Sequence, residues 1–363
     1  MNHLDSLPSG KAAPAHLPRL AAVRTLAVLA MAMGYASTMA RGPGTAEWGR
    51  IFGYEPSMFA VQTLFFLSGW LALRSLHRHG SGLRMLASRA RRNLPALAVA
   101  TAIVALLVYP LISPTQPMGI ADRMQYIAMT VSCADPGRLL PGALDEAHYA
   151  CLLQGAVWTF RWGAIAFLGT ALIWPTGLLR SRLALVFATS AAVAAYAVLN
   201  YLSQKAGTWE LLTNAETGLR FAYPFAAGML AFAWGDRLRA LPMAGALVGL
   251  ATVNFWLLPW TPLIEIGTAL AFGLGALTLA RSRHPALSSL DGWPALALPV
   301  FVVNWPVAQV WLYALPEIGS AGLVALTLTT SLLLAGLYAA LLGGSKRAFR
   351  PPAFSHANAA RTP

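Results

Sequence analysis

The stretch RMLASRARRNLPALAVATAIVALLVYPLIS, residues 84–113, changes character near its middle. Arg84, Arg89, Arg91 and Arg92 crowd its first part, and no charged side chain follows between Leu94 and Ser113. Twenty residues of helix rise about 30 Å, which matches the hydrocarbon core of a bilayer. A soluble helix would interrupt such a run with polar residues on one face. This segment therefore reads as a membrane-spanning helix that emerges into water at its basic end, extending back to Arg84.

The same apolar window recurs along the chain. It predicts ten spans, near 21–40, 57–76, 94–113, 155–175, 182–203, 217–235, 242–258, 262–281, 293–315 and 319–343. The turn Trp260-Thr261-Pro262 makes spans seven and eight a hairpin. The expected fold class is an all-α, polytopic integral membrane protein of about ten transmembrane helices. Composition agrees: of 363 residues 57% are hydrophobic and 11% charged, and the mean hydropathy is +0.58. Soluble domains carry about 25% charged residues, so this chain lacks the polar surface to cover itself in water. A soluble enzyme, a coiled coil and a disordered scaffold are excluded.

The net charge of +13 invites a nucleic-acid reading until it is placed along the chain. If every span crosses, the segments 1–20, 74–93, 176–182, 235–241, 281–292 and 344–363 share one side and hold 18 of the 26 Lys+Arg. The opposite loops carry most of the acids, among them Glu47, Glu55, Asp122, Asp135, Glu216 and Glu317. The positive-inside rule places both termini in the cytoplasm, in keeping with ten crossings of the cell inner membrane. Most of the basic excess is topological, and no nucleic-acid partner is implied. Three regions result: a disordered N-terminal tail over 1–20, a membrane domain over 21–343, and a basic C-terminal tail over 344–363. Thr38-Met39-Ala40 loosely suits a signal-peptide cleavage site, but the basic, Pro-rich lead before span one favours retention. The long outer segment 114–154 holds Cys133 and Cys151, which face an oxidising compartment as either a loop disulfide or two thiols. No Cys/His cluster has zinc-like spacing, and no metal is expected.

Ionisable groups inside spans are costly and mark function by default. Arg24 lies near the inner end of span one and fits either snorkelling to headgroups or a functional place. Tyr35 follows 11 residues later on nearly the same helix face. Arg161, between Trp158 and Trp162, is expected to point into the bundle. Arg220 and Glu265 read as interfacial charges. The six arginines from Arg74 to Arg92 are the strongest orientation signal, and they also suit a polyanion, because guanidinium groups clasp phosphates bidentately. No G-x-x-x-x-G-K-[ST], G-x-G-x-x-G or G-x-S-x-G motif occurs.

Five short blocks, in order along the chain, resemble the membrane acyltransferase-3 family. Leu20-Ala21-Ala22-Val23-Arg24-Thr25-Leu26-Ala27 is similar to the family's L-D-G-L-R-x-L-A. Phe65-Phe66-Leu67-Ser68-Gly69 resembles F-F-x-x-S-G with one residue fewer, and Arg92-Asn93-Leu94-Pro95 resembles R-x-x-P. Val157-Trp158-Thr159-Phe160-Arg161 is similar to W-[ST]-L, and Phe301-Val302-Val303-Asn304-Trp305-Pro306-Val307 to Y-L-x-H-x-P-V. The resemblance implies ten spans and transfer of an acyl group, commonly acetyl from cytoplasmic acetyl-CoA or another acyl-CoA, to a hydroxyl of a cell-surface or periplasmic glycan. It further implies contact with glycan-building machinery. In this reading Arg24, Tyr35, Arg161 and Asn304 form the catalytic set, and Arg74, Arg89, Arg91, Arg92 and Ser68 hold the donor.

The chain departs from the family at the proton-handling positions. Tyr35 stands at the second place of R-x(10)-H, Gly163 where a Glu is expected, Asn304 at the ninth-span His, and Ala21 at the Asp before Arg24. A sugar hydroxyl needs a base with a pKa near the working pH, whereas a tyrosine of reference pKa near 10 is ionised to only about one part in a thousand at pH 7. His148 is read as a solvated loop histidine, with a base folded over the site as the alternative. The replacements also admit a chain that has lost catalysis and binds or escorts a lipid-linked glycan or partner. A transporter is less favoured, since no span carries a mid-membrane Asp or Glu.

Overall fold

The computed structural model describes residues 17–113, 118–144, 147–206, 210–235, 238–257, 260–291 and 293–348. Residues 1–16 and 349–363, most of the two expected tails, lie outside the described residues. Among the described residues all regular structure is helical, apart from an isolated antiparallel bridge between Ile51 and Tyr54. The helices are α1 Leu20–Met39, α2 Pro56–His79, α3 Gly82–Ile103, α4 Tyr109–Ile112, α5 Ile120–Val131, α6 Thr159–Ile173, α7 Arg182–Ala206, α8 Glu210–Trp234, α9 Ala240–Leu257, α10 Thr261–Arg281, α11 Ala297–Ala314 and α12 Ser320–Ala348. A π-helical turn, Val104–Val108, joins α3 to α4 in one continuous span.

Among the described residues, nine helices are long and apolar enough to cross a membrane. The chain is an all-α polytopic membrane protein. The sixth expected span, 217–235, falls in α8 and is not one of the nine. Its 25 residues reach about 37 Å, but Arg220, Thr217, Tyr223 and Pro224 dilute its apolar character. Even so, α8 packs against α2 and α7 inside the bundle.

Side-chain size explains that packing. Gly69 of α2 faces the Phe225 carbonyl of α8, and Gly228 of α8 faces the Phe66 carbonyl of α2; a Cβ at either place would overlap backbone. Paired small residues let two helices approach closely where lipid offers no hydrophobic drive for association. The helices α2, α10 and α11 are buried over most of their surface, and α9 is the least buried. On the rim, Leu107, Leu111, Leu172, Phe187, Trp256 and Leu341 are exposed and form the apolar belt that meets lipid.

The arginine-rich connection is a helical hairpin rather than a loop. Gly80, at φ 65°, caps α2 in the left-handed conformation and donates to the Leu76 carbonyl at 2.7 Å. Ser81 caps α3 by accepting from the Arg84 amide. Gly82 sits against Ala171 of α6, where a Cβ would come within 2.6 Å of the Ala171 carbonyl. At the other end of the chain α12 continues to Ala348, so the first residues assigned to the C-terminal tail are helical. The last residues of the expected N-terminal tail are also packed. Arg19, 1% exposed, donates from Nε to Asp291 at 2.7 Å and from Nη2 to the His284 carbonyl at 3.0 Å.

The segment 114–154 is not simply an outer loop. Within it α5 packs back along α3 and the π-turn. The Tyr109 hydroxyl accepts from the Met118 amide at 2.9 Å and donates to the Pro141 carbonyl at 2.7 Å. Tyr126, wholly buried, donates to Gln154 Oε1 at 3.0 Å. Val104, Ile112, Leu140 and Leu153 join these rings in a small separate core. Cys133 and Cys151 are half-buried thiols, not joined in a disulfide.

Candidate active site

The helices enclose a cavity of about 410 Å³. Its wall is contributed by α1 (Arg24, Val28), α2 (Leu64, Phe65, Ser68), α3 (Leu86 to Leu97), α6 (Thr159 to Phe167), α8 (Phe225) and α11 (Ala297, Leu298, Phe301). The end of α5 closes it with Val131, Ser132 and Cys133. Burial pushes the Cys133 thiol above its ordinary value, so it stays protonated near neutral pH.

The polar part of the wall is cationic. Arg24 and Arg89 both line the cavity beside Asn93 and Ser68, and among the described residues no Asp, Glu or His lines it. The ion pairs found among the described residues, Arg19–Asp291 and Arg220–Glu265, lie elsewhere. Arg89 is 9% exposed and rests its guanidinium over the Phe167 ring, 4.9 Å from the centroid. Arg24 Nε is buried and has no hydrogen-bond partner. Arg92, exposed on the next turn of α3, is close enough to repel both cations. Three cations held together without a carboxylate make a place that an anion or a polarised carbonyl would stabilise.

The other expected site residues fall elsewhere. Arg74 lies over Trp70 at 5.4 Å, and Arg91 is exposed and turns back to the Ala87 carbonyl at 3.4 Å. Both belong to the cytoplasmic mouth as the charge pattern orients it. Arg161 does not point into the bundle. It is exposed, 6.0 Å from the Trp162 ring centroid. The reason is helix phase: Thr159, Phe160, Gly163, Ala164 and Phe167 form the cavity face of α6, and Arg161 is about 100° round from Phe160. Asn304 is 1% exposed and spends its amide on its own helix, donating to the Val300 carbonyl at 3.1 Å and the Phe301 carbonyl at 2.6 Å.

Tyr35 belongs to an aromatic layer toward the outer end of α1. It meets Trp305 edge-on at 5.4 Å. Trp305 in turn meets Tyr149 at 5.4 Å and donates to the Leu152 carbonyl at 2.8 Å, fastening α11 to the outer segment. Close to this layer is the Glu47 carboxylate, 5% exposed and packed against Gly34. It accepts from the Ser57 amide at 2.9 Å and from the Ser57 hydroxyl. Burial holds the Glu47 carboxyl above its ordinary value, against the Ser57 hydrogen bonds, which pull it down. His148 is exposed and packs beside Gly42, where it stands away from the cavity wall.

A family model for an acyltransferase domain matches residues 17–344. The chain belongs to the membrane acyltransferase-3 family. No curated protein and no solved structure matches it. In this acyltransferase Arg24, and Gly163 at the place of the expected Glu, open onto the cavity. Tyr35 lies in the aromatic layer, and Asn304 is turned into α11.

The charges read from sequence as interfacial are a buried pair. Glu265 is fully buried; it accepts from Arg220 Nε and Nη2, both at 2.7 Å, from Gln62 Nε2 at 2.6 Å and from the Tyr196 hydroxyl at 2.6 Å. Gln62 also donates to the Tyr223 hydroxyl at 3.1 Å. Four donors from three helices compensate one carboxylate, which is what makes a charge tolerable at this depth. This network clamps α2, α7, α8 and α10 and lies outside the cavity wall. Sequence reading passed over Gln62 and Asn93, although each polar residue in an apolar helix was a signal of its own.

Proposed function

We propose that this acyltransferase moves an acyl group from a cytoplasmic acyl-CoA to a hydroxyl of a cell-surface or periplasmic glycan in the inner membrane. The observation that carries this reading is Arg24, whose buried Nε has no hydrogen-bond partner among the described residues, beside Arg89 at the polar end of an otherwise apolar cavity. Arg91, Arg92 and Arg74 on the basic hairpin suit the CoA phosphates. A pantetheine arm passing them brings its thioester carbonyl to Arg24, whose free Nε–H donates to the oxygen as negative charge develops there. The acceptor oxygen bonds to the carbonyl carbon and the carbon–sulfur bond breaks. With no His, Asp or Glu among the described residues of the wall, the departing thiolate takes the hydroxyl proton. Ser68 and Asn93 are positioned to hold the amides of the arm.

The same missing base favours a second reading, in which the protein binds donor or lipid-linked glycan without turnover. A thiol-release assay on full-length protein in proteoliposomes, with acetyl-CoA inside and a glycan acceptor outside, separates the two. Transfer predicts acceptor-dependent release of CoA. Arg24→Ala and Arg89→Ala should each lower the rate about 10- to 100-fold, the range expected for loss of a charge-assisted hydrogen bond of about 1.5–3 kcal/mol. Binding of acetyl-CoA with no release in the presence of acceptor would support the second reading.

A further inference from the structure

On the cavity face of α6, Gly163 is the position where a side chain is missing. A Cβ built there meets nothing within 4 Å, and the residue lines the cavity. Around it the wall is aromatic and aliphatic: Phe65, Phe160, Phe167, Phe225 and Phe301 contribute rings from four helices. Phe160 and Phe301 meet edge-on at 5.3 Å, which closes that side.

The order of groups along α6 gives the cavity a direction. Ala171 lies against Gly82 at the start of α3, Phe167 carries Arg89 one turn further along, and Gly163 follows after another turn. The open space therefore begins beyond the cations, on the side away from the basic hairpin. The polar groups in that region are few. The Thr159 hydroxyl donates to the Ala156 carbonyl at 3.3 Å, the Ser132 hydroxyl donates to the Met129 carbonyl at 3.2 Å, and the Cys133 thiol is a weak donor. With their hydroxyl protons spent on backbone, these groups offer a pantetheine arm fewer donors than Arg24, Ser68, Arg89 and Asn93 do, and the donor's polar arm suits the latter. What remains beyond them suits hydrocarbon. An acetyl methyl is no larger than a water molecule and would leave the open space at Gly163, where a Cβ meets nothing within 4 Å, unfilled.

We propose that the Gly163 cavity receives the chain of an acyl donor longer than acetyl, with Gly163 as the residue that sets its length. This rests on the acyl-CoA reading above and specifies its donor. The test is a calorimetric titration of the full-length protein in nanodiscs with CoA, acetyl-CoA, butyryl-CoA and hexanoyl-CoA, with the heat from empty nanodiscs subtracted. Affinity should rise along the acyl series by up to about fourfold per methylene, the factor that about 0.8 kcal/mol per buried CH₂ represents. Gly163→Leu should compress the series, so that hexanoyl-CoA loses most of its advantage over acetyl-CoA. Gly163→Ala, the smaller change, should do so partially. Equal affinity for all three thioesters in the wild type, or an unchanged series in both variants, overturns the proposal while leaving the acyl-CoA reading intact. Failure of every CoA species to bind overturns both.

Discussion

Glu265 shows how one residue's energetics depend on partners the chain places far away. Its Gln62 donor is 203 residues distant in sequence, and each of its hydrogen bonds is shorter than the usual neutral N–H···O distance. Such a carboxylate is stabilised only as a complete set. Glu265→Ala should cost about 3–5 kcal/mol, because it leaves the Arg220 cation largely buried and unpaired. Replacing both partners, Arg220→Met with Glu265→Leu, should recover most of that loss. Thermal unfolding of detergent-purified variants checks both. A double variant no better than Glu265→Ala would show that the pair's net contribution, rather than the orphaned charge, governs the loss. Arg161 is the contrasting case. Its residue type suggested a role inside the bundle, but α6 turns it outward, where a guanidinium beside Trp162 can reach headgroups.

Between helices, steric fit takes over from polarity. The α2–α8 crossing depends on Gly69 and Gly228 admitting the opposite backbone. Gly228→Ala should destabilise by about 1–3 kcal/mol through overpacking. Gly275→Ala in α10, where a Cβ meets open space, should be near neutral or stabilising. A matched pair of melting curves reads the difference, and similar curves would mean that the crossing tolerates separation. The α5 segment makes a related point. Its 12 residues are too few to span a bilayer, yet α5 packs along α3 and delivers Val131 to Cys133 to the cavity. Short apolar helices of this kind have no clear signature in a window tuned to twenty residues.

At the scale of the whole molecule, charge and apolar surface act on topology rather than on chemistry. The exposed belt of leucine, phenylalanine and tryptophan requires lipid around the bundle, and the positive-inside rule predicts that the basic α2–α3 hairpin faces the cytoplasm. Whether α8 crosses decides the side on which the chain ends. A reporter active only in the cytoplasm should therefore work when fused after Pro363 and fail when inserted at Gly142. Activity at both places, or at neither, would contradict ten crossings with both ends inside.

The sequence by itself determined the class of fold and the places of nine spans, because burial in lipid demands long apolar runs and leaves arginine in the connections. Residues 84–113 show this plainly. It also pointed to Arg24, Ser68 and Arg89 as neighbours of one site, and these share the cavity. Tertiary structure alone decided the rest. A helix's phase about its axis selected Gly163 over Arg161 for the cavity wall, and long-range packing joined Gln62, Tyr196, Arg220 and Glu265. In a lipid-facing helix every side can be apolar, so sequence periodicity does not say which side faces a partner; packing against neighbouring helices does.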